Sequence, residues 1–323
     1  MQGFYGYVAD GLLSARVVLA DGSAVTASAT QHADLFWALK GAGHNFGVVT
    51  SFEIKAYDLP KTKWTIVNLV YTQDKLEDFV DALNDVDNEG DHDAALVLAG
   101  AIMRIPPIDP EHPVIAYQLS FLGTAAEVEP YVARFRQAGP LSVDFVENVP
   151  YKDYYIVTNN GYNQTACQID QNISGYAVSL PNYNKTAMRR TFEIFSEFTA
   201  DETFTSFWLL ESYGSRGVKA VDYATSAIPN ADRDLAVLTV PITWWNGSDA
   251  QTKAKADHYG KLIRSTLAEG ADKTAENAHI YLNYAMGGES LQQVYGKEPL
   301  PKLMALKKKY DPANRFGFYV PIV

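Results

Sequence analysis

Two short stretches carry residue types that could do chemistry. The first is Gly41-Ala42-Gly43-His44-Asn45-Phe46-Gly47. Glycines at this density can take positive φ and let backbone N–H groups converge on an anion or cofactor. The same density also makes a tight structural turn. The loop lies between an expected helix and an expected strand, the reverse of the order in a dinucleotide-binding fingerprint, and it lacks the Lys-Ser/Thr end of a P-loop. The second stretch is Tyr281-Leu282-Asn283-Tyr284. Read as a strand, it puts Tyr281 and Asn283 on one face and Tyr284 on the other. A tyrosine there could act as a base beside a flat cofactor, given something to lower its pKa from about 10. Otherwise the two are half-buried strand tyrosines.

Other chemistries lack their residues. His32, His44, His92, His112, His258 and His279 show no metal-ligand spacing, and there is no H-E-x-x-H or C-x-x-C, so no metal site is expected. Only His44 falls inside the glycine loop. No G-x-S-x-G elbow anchors a hydrolase triad. Glu127 with Glu129, and Glu193 with Glu197, read as solvated helix faces. Cys167 is the single cysteine, which precludes an internal disulfide, and it reads as inert.

The elements that must position these residues follow from periodicity. A hairpin is expected over Leu12–Ala20 and Ser23–Ser28, closed by Asp21-Gly22. A short helix covers Asp34–Lys40, the glycine loop follows, and a strand runs from Val48 to Ala56. From Thr65 onward strands and helices alternate irregularly. Strands are expected at 65–71, 94–105, 114–122, 141–147, 204–212 and 235–245. Helix faces are marked by Leu76/Phe79/Val80/Leu83, Val128/Val132/Phe135, Met188/Phe192/Phe195 and Tyr259/Leu262/Ile263/Leu267. Ala278–Tyr284 reads as a last strand, and Leu303/Leu306/Tyr310 as a last helix. The sum is an α+β arrangement, an antiparallel sheet covered by helices on one face.

Composition narrows the partners. The 323 residues carry 27 Lys/Arg against 38 Asp/Glu, a net charge of −11, so no nucleic-acid partner is expected. The longest apolar run, Ala94 to Met103, is far short of the about 20 residues of a membrane span. The 20 Tyr, 15 Phe and 5 Trp suit a large core, and equally a pocket for a flat or sugar-like small molecule. Sequons at Asn163, Asn172, Asn184 and Asn246 hint at secretion, while Met1–Leu13 does not read as a signal peptide, so the compartment stays open.

Taken together, the hairpin Leu12–Gly22, the run Asp34-Leu35-Phe36-Trp37-Ala38-Leu39-Lys40 through Gly47-Val48-Val49-Thr50-Ser51-Phe52, and the tail carrying Tyr281-Leu282-Asn283-Tyr284, Tyr295-Gly296 and Tyr310-Asp311-Pro312-Ala313-Asn314-Arg315-Phe316 resemble fungal berberine-bridge-enzyme-like oxidases. The likeness spans the whole chain, with a diverged middle. It implies residues 1–58 as a partial FAD-binding domain, 59–275 as a substrate domain, and 276–323 as a segment returning to the FAD-binding domain. It implies FAD as cofactor and oxidation of a small organic or carbohydrate substrate by hydride transfer to the flavin. Matched by position, Gly41, Gly43, Asn45, Phe46, Gly47 and Asn283 would contact the cofactor, and Tyr281 or Tyr284 would be catalytic.

The departures carry expectations of their own. The resemblance places a flavin-attachment subdomain ahead of the matched part, so Met1 reads as the middle of a longer reading frame, and Cys167 comes too late to be an attachment cysteine. An uncovered apolar sheet face would follow, and with it a homo-oligomer or a completing chain. A strand over Gly217–Val221 would offer Lys219 where family members carry a catalytic residue. Where the family has Pro-His-Arg, this chain has Pro229-Asn230-Ala231-Asp232-Arg233. Two further readings stand beside the oxidoreductase: a flavin-free descendant that binds, cyclises or isomerises a small molecule, and a non-enzymatic chain completed by a partner.

Overall fold

The computed structural model describes residues 1–88, 91–160, 171–286 and 288–323. Cys167 and the Asn163 sequon lie outside them. The chain forms two compact units, Met1–Asp58 with Ser215–Asp234 and His279–Val323, and Leu59–Gly214 with Leu235–Ala278.

The first unit is built on the hairpin. Strands β1 (Leu12–Val18) and β2 (Ala24–Ser28) pair antiparallel, and β3 (Val48–Ile54) pairs with the other edge of β1, giving the order β2-β1-β3. The turn closes because Gly22 takes φ 84° and the Asp21 carboxylate accepts from the Ser23 N–H at 2.9 Å. Ala15, Val17 and Ala27 are buried on the sheet, as are Leu35, Phe36 and Ala38 of the helix Ala33–Ala42. That helix is tied to the helix Leu300–Tyr310 through Asp34, which accepts from Tyr310 Oη at 2.8 Å and Lys309 Nζ at 2.6 Å.

Residues 215–234 fall within the 59–275 span in sequence, yet they pack in this unit. Three local contacts explain it. A Cβ at Gly217 would come within 2.5 Å of the Gln2 carbonyl oxygen, so the backbones meet where only glycine fits. The Ala227 N–H donates to the Lys40 carbonyl at 2.9 Å. Arg233, buried, forms a forked ion pair with Asp10 at 2.6 and 3.0 Å. The strand expected over Gly217–Val221 is instead a helical turn, Arg216–Lys219, and Lys219 is exposed. Nothing in the alternation there was strong enough to separate strand from turn.

The second unit holds an eight-stranded antiparallel sheet. Its strands are β4 (Lys63–Tyr71), β5 (Leu96–Met103), β6 (Val114–Leu122), β7 (Ser142–Pro150), β8 (Asn172–Gly175), β9 (Val178–Leu180), β10 (Thr205–Tyr213) and β11 (Val237–Trp245). The order is β7-β4-β6-β5-β10-β11-β8, with β9 also on β11. One face, with Leu69, Tyr71, Tyr117, Leu119, Trp208 and Leu210 buried, is covered by helices. Phe79 of the helix Leu76–Asp87 lies 5.2 Å from the Tyr71 ring and 5.0 Å from Tyr117, and Phe195 of the helix Lys185–Phe198 lies 6.1 Å from Trp208. A 3.6-residue stripe set against a two-residue alternation produces this one-sided cover. Strands β8 and β9 are too short to announce themselves by alternation.

Candidate active site

The two stretches singled out by residue type both lie in the first unit, and neither has quite the geometry its sequence suggests. In the glycine bend only Gly41 has positive φ, 141°. A Cβ there would sit 2.6 Å from the Ala227 carbonyl carbon and the Ile228 nitrogen, and one at Gly47 would sit 2.6 Å from Val17 Cγ1. Those two glycines serve close packing within the unit. Gly43 has φ −55° and would meet only Leu39, at 3.5 Å. The expectation that all three supply positive φ is therefore corrected for Gly43 and Gly47.

Asn45 and Phe46 are fully buried. The Asn45 amide group donates to Tyr295 Oη at 2.9 Å and faces His44 Nε2 at 2.9 Å, while its Oδ1 accepts from the Ile322 N–H at 2.9 Å. Its main-chain carbonyl accepts from Lys307 Nζ at 2.9 Å. With both amide hydrogens and the carbonyl engaged, the Asn45 side chain is spent on the C-terminal segment. Any ligand at this bend is offered backbone and not the Asn45 or Phe46 side chains. His44 is held neutral: burial lowers its pKa, a hydrogen bond to the Tyr319 backbone opposes this, and the Lys307 charge adds to the lowering.

The tyrosine stretch is a 3₁₀ turn, Leu282–Tyr284, and not a strand. Three residues per turn bring positions i and i+3 to the same side. Tyr281 and Tyr284 therefore meet edge to face with ring centres 5.7 Å apart, which overturns the expected pairing of Tyr281 with Asn283 on one strand face. Asn283 still reaches Tyr281, its Nδ2 donating to Tyr281 Oη at 2.7 Å. Tyr281 and Tyr284 are half-buried and Asn283 is exposed.

Bend and turn are joined through one residue. Tyr319 Oη stands between the carbonyls of Leu282 (2.5 Å) and Ala285 (2.8 Å), which share its one proton, and its ring packs on His44 with centres 5.6 Å apart.

A further cluster was not foreseen from the sequence. His279 Nε2 and Asp232 Oδ1 are 2.5 Å apart, both nearly buried, and Tyr7 Oη donates to the Asp232 main-chain oxygen. Burial raises the Tyr7 pKa, and the negative charge of Asp232 adds to it, so this phenol keeps its proton. The stretch Pro229–Arg233, which carries no histidine of its own, thus has its Asp232 met by a histidine from elsewhere in the chain. The hints were Asp232-Arg233 and His279, but a pairing across 47 positions leaves no periodic trace.

The second unit carries its own polar feature. On the face away from the helices, Asp144, Asn68, Gln118, Ala99 and Glu211 stand opposite one another across β7, β4, β6, β5 and β10. Gln118 Nε2 donates to Asn68 Oδ1 at 2.8 Å, Ser120 Oγ to Gln118 Oε1 at 3.2 Å, and Tyr213 Oη to Glu211 Oε1 at 3.2 Å. Ala99, Ala101 and Ala116 share the face and leave it low between Gln118 and Glu211.

Residues 280–322 match the family described as "Berberine and berberine like". The chain is 35% identical to the FAD-linked oxidoreductase anuG of Penicillium roqueforti over 100% of its own length and 63% of that protein's. It is 33% identical to the FAD-linked oxidoreductase OXR2 of Pyricularia oryzae, covering 99% of this chain and 63% of that one. Over residues 280–322 the chain carries a berberine and berberine like domain, and over its whole length it is similar to fungal FAD-linked oxidoreductases. Its fold is that of the Physcomitrella patens BBE-like 1 structure, with a TM-score of 0.77 at 20% identity over 100% of this chain and 68% of that one. A chitooligosaccharide oxidase structure gives 0.76 at 20% identity over 99% and 68%. The chain spans about 63% of the length of the curated relatives it matches.

Among the described residues no group of three or more His, Cys, Asp or Glu could hold a metal ion, and no helix is long and apolar enough to cross a membrane.

Proposed function

We propose that this chain is the part of an FAD-linked oxidoreductase that carries its proton-handling tyrosines, acting on a small organic or carbohydrate substrate. The observation that carries this reading is the Tyr281–Asn283–Tyr284 turn, inside the matched segment 280–322. Its two rings are half-buried and stand edge to face, and the Tyr281 oxygen receives a hydrogen bond from Asn283 at 2.7 Å. The Asn283 amide fixes where the Tyr281 oxygen stands, as a proton-transfer group requires. The relatives' names support the cofactor.

The residues fit a flavin unevenly. The turn suits the rim of a flat ring. Apart from the His44 ring the bend offers main-chain groups, because the Asn45 side chain is already bonded and Gly41 and Gly47 are closed by their own packing. FAD, when bound, supplies the hydride acceptor. Tyr281 or Tyr284 takes the substrate's proton, and Asn283 orients Tyr281 for it.

The test is a titration of the purified chain with FAD, followed by its visible bands, and turnover of the Tyr281→Phe and Tyr284→Phe variants. Both should retain any flavin that the parent binds, and at least one should lose about 100-fold in turnover. Parental rates in both would remove the tyrosines from the chemistry.

The polar row in the second unit favours a second reading, binding of a hydroxyl-bearing ring without flavin. Its amides and carboxylates offer donors and acceptors on either side of a low alanine floor. A colourless protein that binds such a ring, and loses it on Gln118→Leu, would favour this reading over the first.

A further inference from the structure

The C-terminal segment does more than close the first unit. Between Phe316 and Ile322 its backbone is held at several points, beginning with the Phe316 N–H on Asp311 Oδ2 at 2.9 Å. Lys307 Nζ donates to the Phe316 carbonyl at 3.2 Å, and the Tyr319 backbone is hydrogen-bonded to His44. Tyr295 Oη donates to the Val320 carbonyl at 2.6 Å, and the Ile322 N–H donates to Asn45 Oδ1 at 2.9 Å. At the centre Val320 takes φ 36°, a left-handed conformation that a β-branched residue adopts only when its surroundings force it. Such strain persists because the flanking bonds over-determine it. The atom it places is Tyr319 Oη, which spans the carbonyls at both ends of the tyrosine turn, Leu282 and Ala285.

We infer that Tyr319 is a positioning residue for the tyrosine turn, and that His44, Asn45 and Tyr295 act on Tyr281 and Tyr284 through it. This rests on the proposed function only for its catalytic consequence. The geometric claim stands without flavin. Within the turn the main chain is closed by Tyr284 N–H to Tyr281 and Ala285 N–H to Leu282, at 2.9 and 3.1 Å, and the preceding Ile280 N–H is held by the Gln293 carbonyl at 3.0 Å. Within a single short turn, one more hydroxyl bonded to two carbonyls decides how often the turn opens.

Tyr319→Phe removes that hydroxyl and keeps the ring on His44. Tyr310→Phe is the matched control, since it deletes a hydroxyl of the same unit bonded to Asp34 at 2.8 Å. Amide hydrogen exchange of the intact chain is the readout. In Tyr319→Phe, exchange at Tyr284 and Ala285 should quicken by about five- to tenfold, with the hairpin 12–28 unchanged. In Tyr310→Phe those two amides should not move. Unchanged exchange in Tyr319→Phe, or an equal rise throughout the unit, overturns the inference. In flavin-loaded protein, Tyr319→Phe should lower kcat and leave KM, as expected when reacting groups lose position and binding is intact. A rise in KM at constant kcat would overturn the positioning role. The exchange result does not depend on flavin, so failure to bind FAD defeats only the functional reading, and the two failures are told apart.

Discussion

His92 is a buried imidazole for which charging means losing solvation, and the His44 ring, though its residue is exposed, is shifted in the same direction. For His92, burial lowers the pKa and the nearby Asp87 carboxylate, 3.7 Å away, pulls the other way without prevailing. For His44, burial again leads and the Lys307 charge reinforces it. The sign of the consequence follows from counting protons. Between the lowered folded pKa and the ordinary value near 6.5, the unfolded chain binds more protons than the folded one. The stability due to neutral burial is therefore complete above about 6.5 and is lost as pH falls below it. We expect the urea midpoint to drop between neutral pH and pH about 5, ahead of any carboxylate titration. Ring-proton NMR should find both histidines neutral where a free imidazole is half charged. A flat stability profile across this window, or ordinary titration of both rings, would contradict the assignment. The hydrogen bond from Ser212 Oγ to Asp87 Oδ1 keeps one carboxylate oxygen satisfied where water does not reach.

At the scale of elements, the glycine bend yields a prediction opposite to its sequence pattern. Gly43 sits at the centre of the motif, yet its φ of −55° suits any residue, and a Cβ would make an ordinary 3.5 Å contact. Gly41 stands at φ 141°, with the Ala227 backbone 2.6 Å from where its Cβ would be. Gly43→Ala should be neutral or stabilise by up to about 1 kcal/mol, by restricting the unfolded chain. Gly41→Ala should cost roughly 2–4 kcal/mol, from forbidden φ and overlap together. Chemical denaturation of both variants measures the difference, and equal effects would mean the bend is not built as described. The same bend shows what a sequence can reveal. Strand Val114–Leu122 and the helix around Phe79 were legible because burial on one side writes a period of two or 3.6 into the residue types. The turn at Leu282–Tyr284 was misread because four residues fit a strand and a 3₁₀ turn equally well, and only Tyr319, 35 positions beyond Tyr284, selects the turn. Asn45 was legible as special, but its partners Tyr295 and Ile322 lie 250 and 277 positions away and left its role unreadable.

At the scale of the whole molecule, the first unit's sheet ends in an edge strand with nothing over it among the described residues. Phe52 stands opposite Ala15, and Val49 opposite Val17, so they share the face that buries Ala15 and Val17. Yet Phe52 is 63% exposed and Val49 43%, because the helical cover stops at β1. All seven residues of β3 are exposed, and no strand pairs with its outer edge. An apolar strand with a free edge is a template for pairing with another chain. The net charge of −11 opposes this at long range, but salt screens that repulsion within about 8 Å at physiological strength. Self-association of the chain should therefore rise with ionic strength as well as with concentration. Phe52→Glu adds a charge on the edge and gives up little buried area, so it should suppress association without lowering the denaturation midpoint. Sedimentation velocity over a salt series reads both effects. If association falls with salt, or if the Glu variant associates like the parent, β3 is not the surface through which copies of the chain meet.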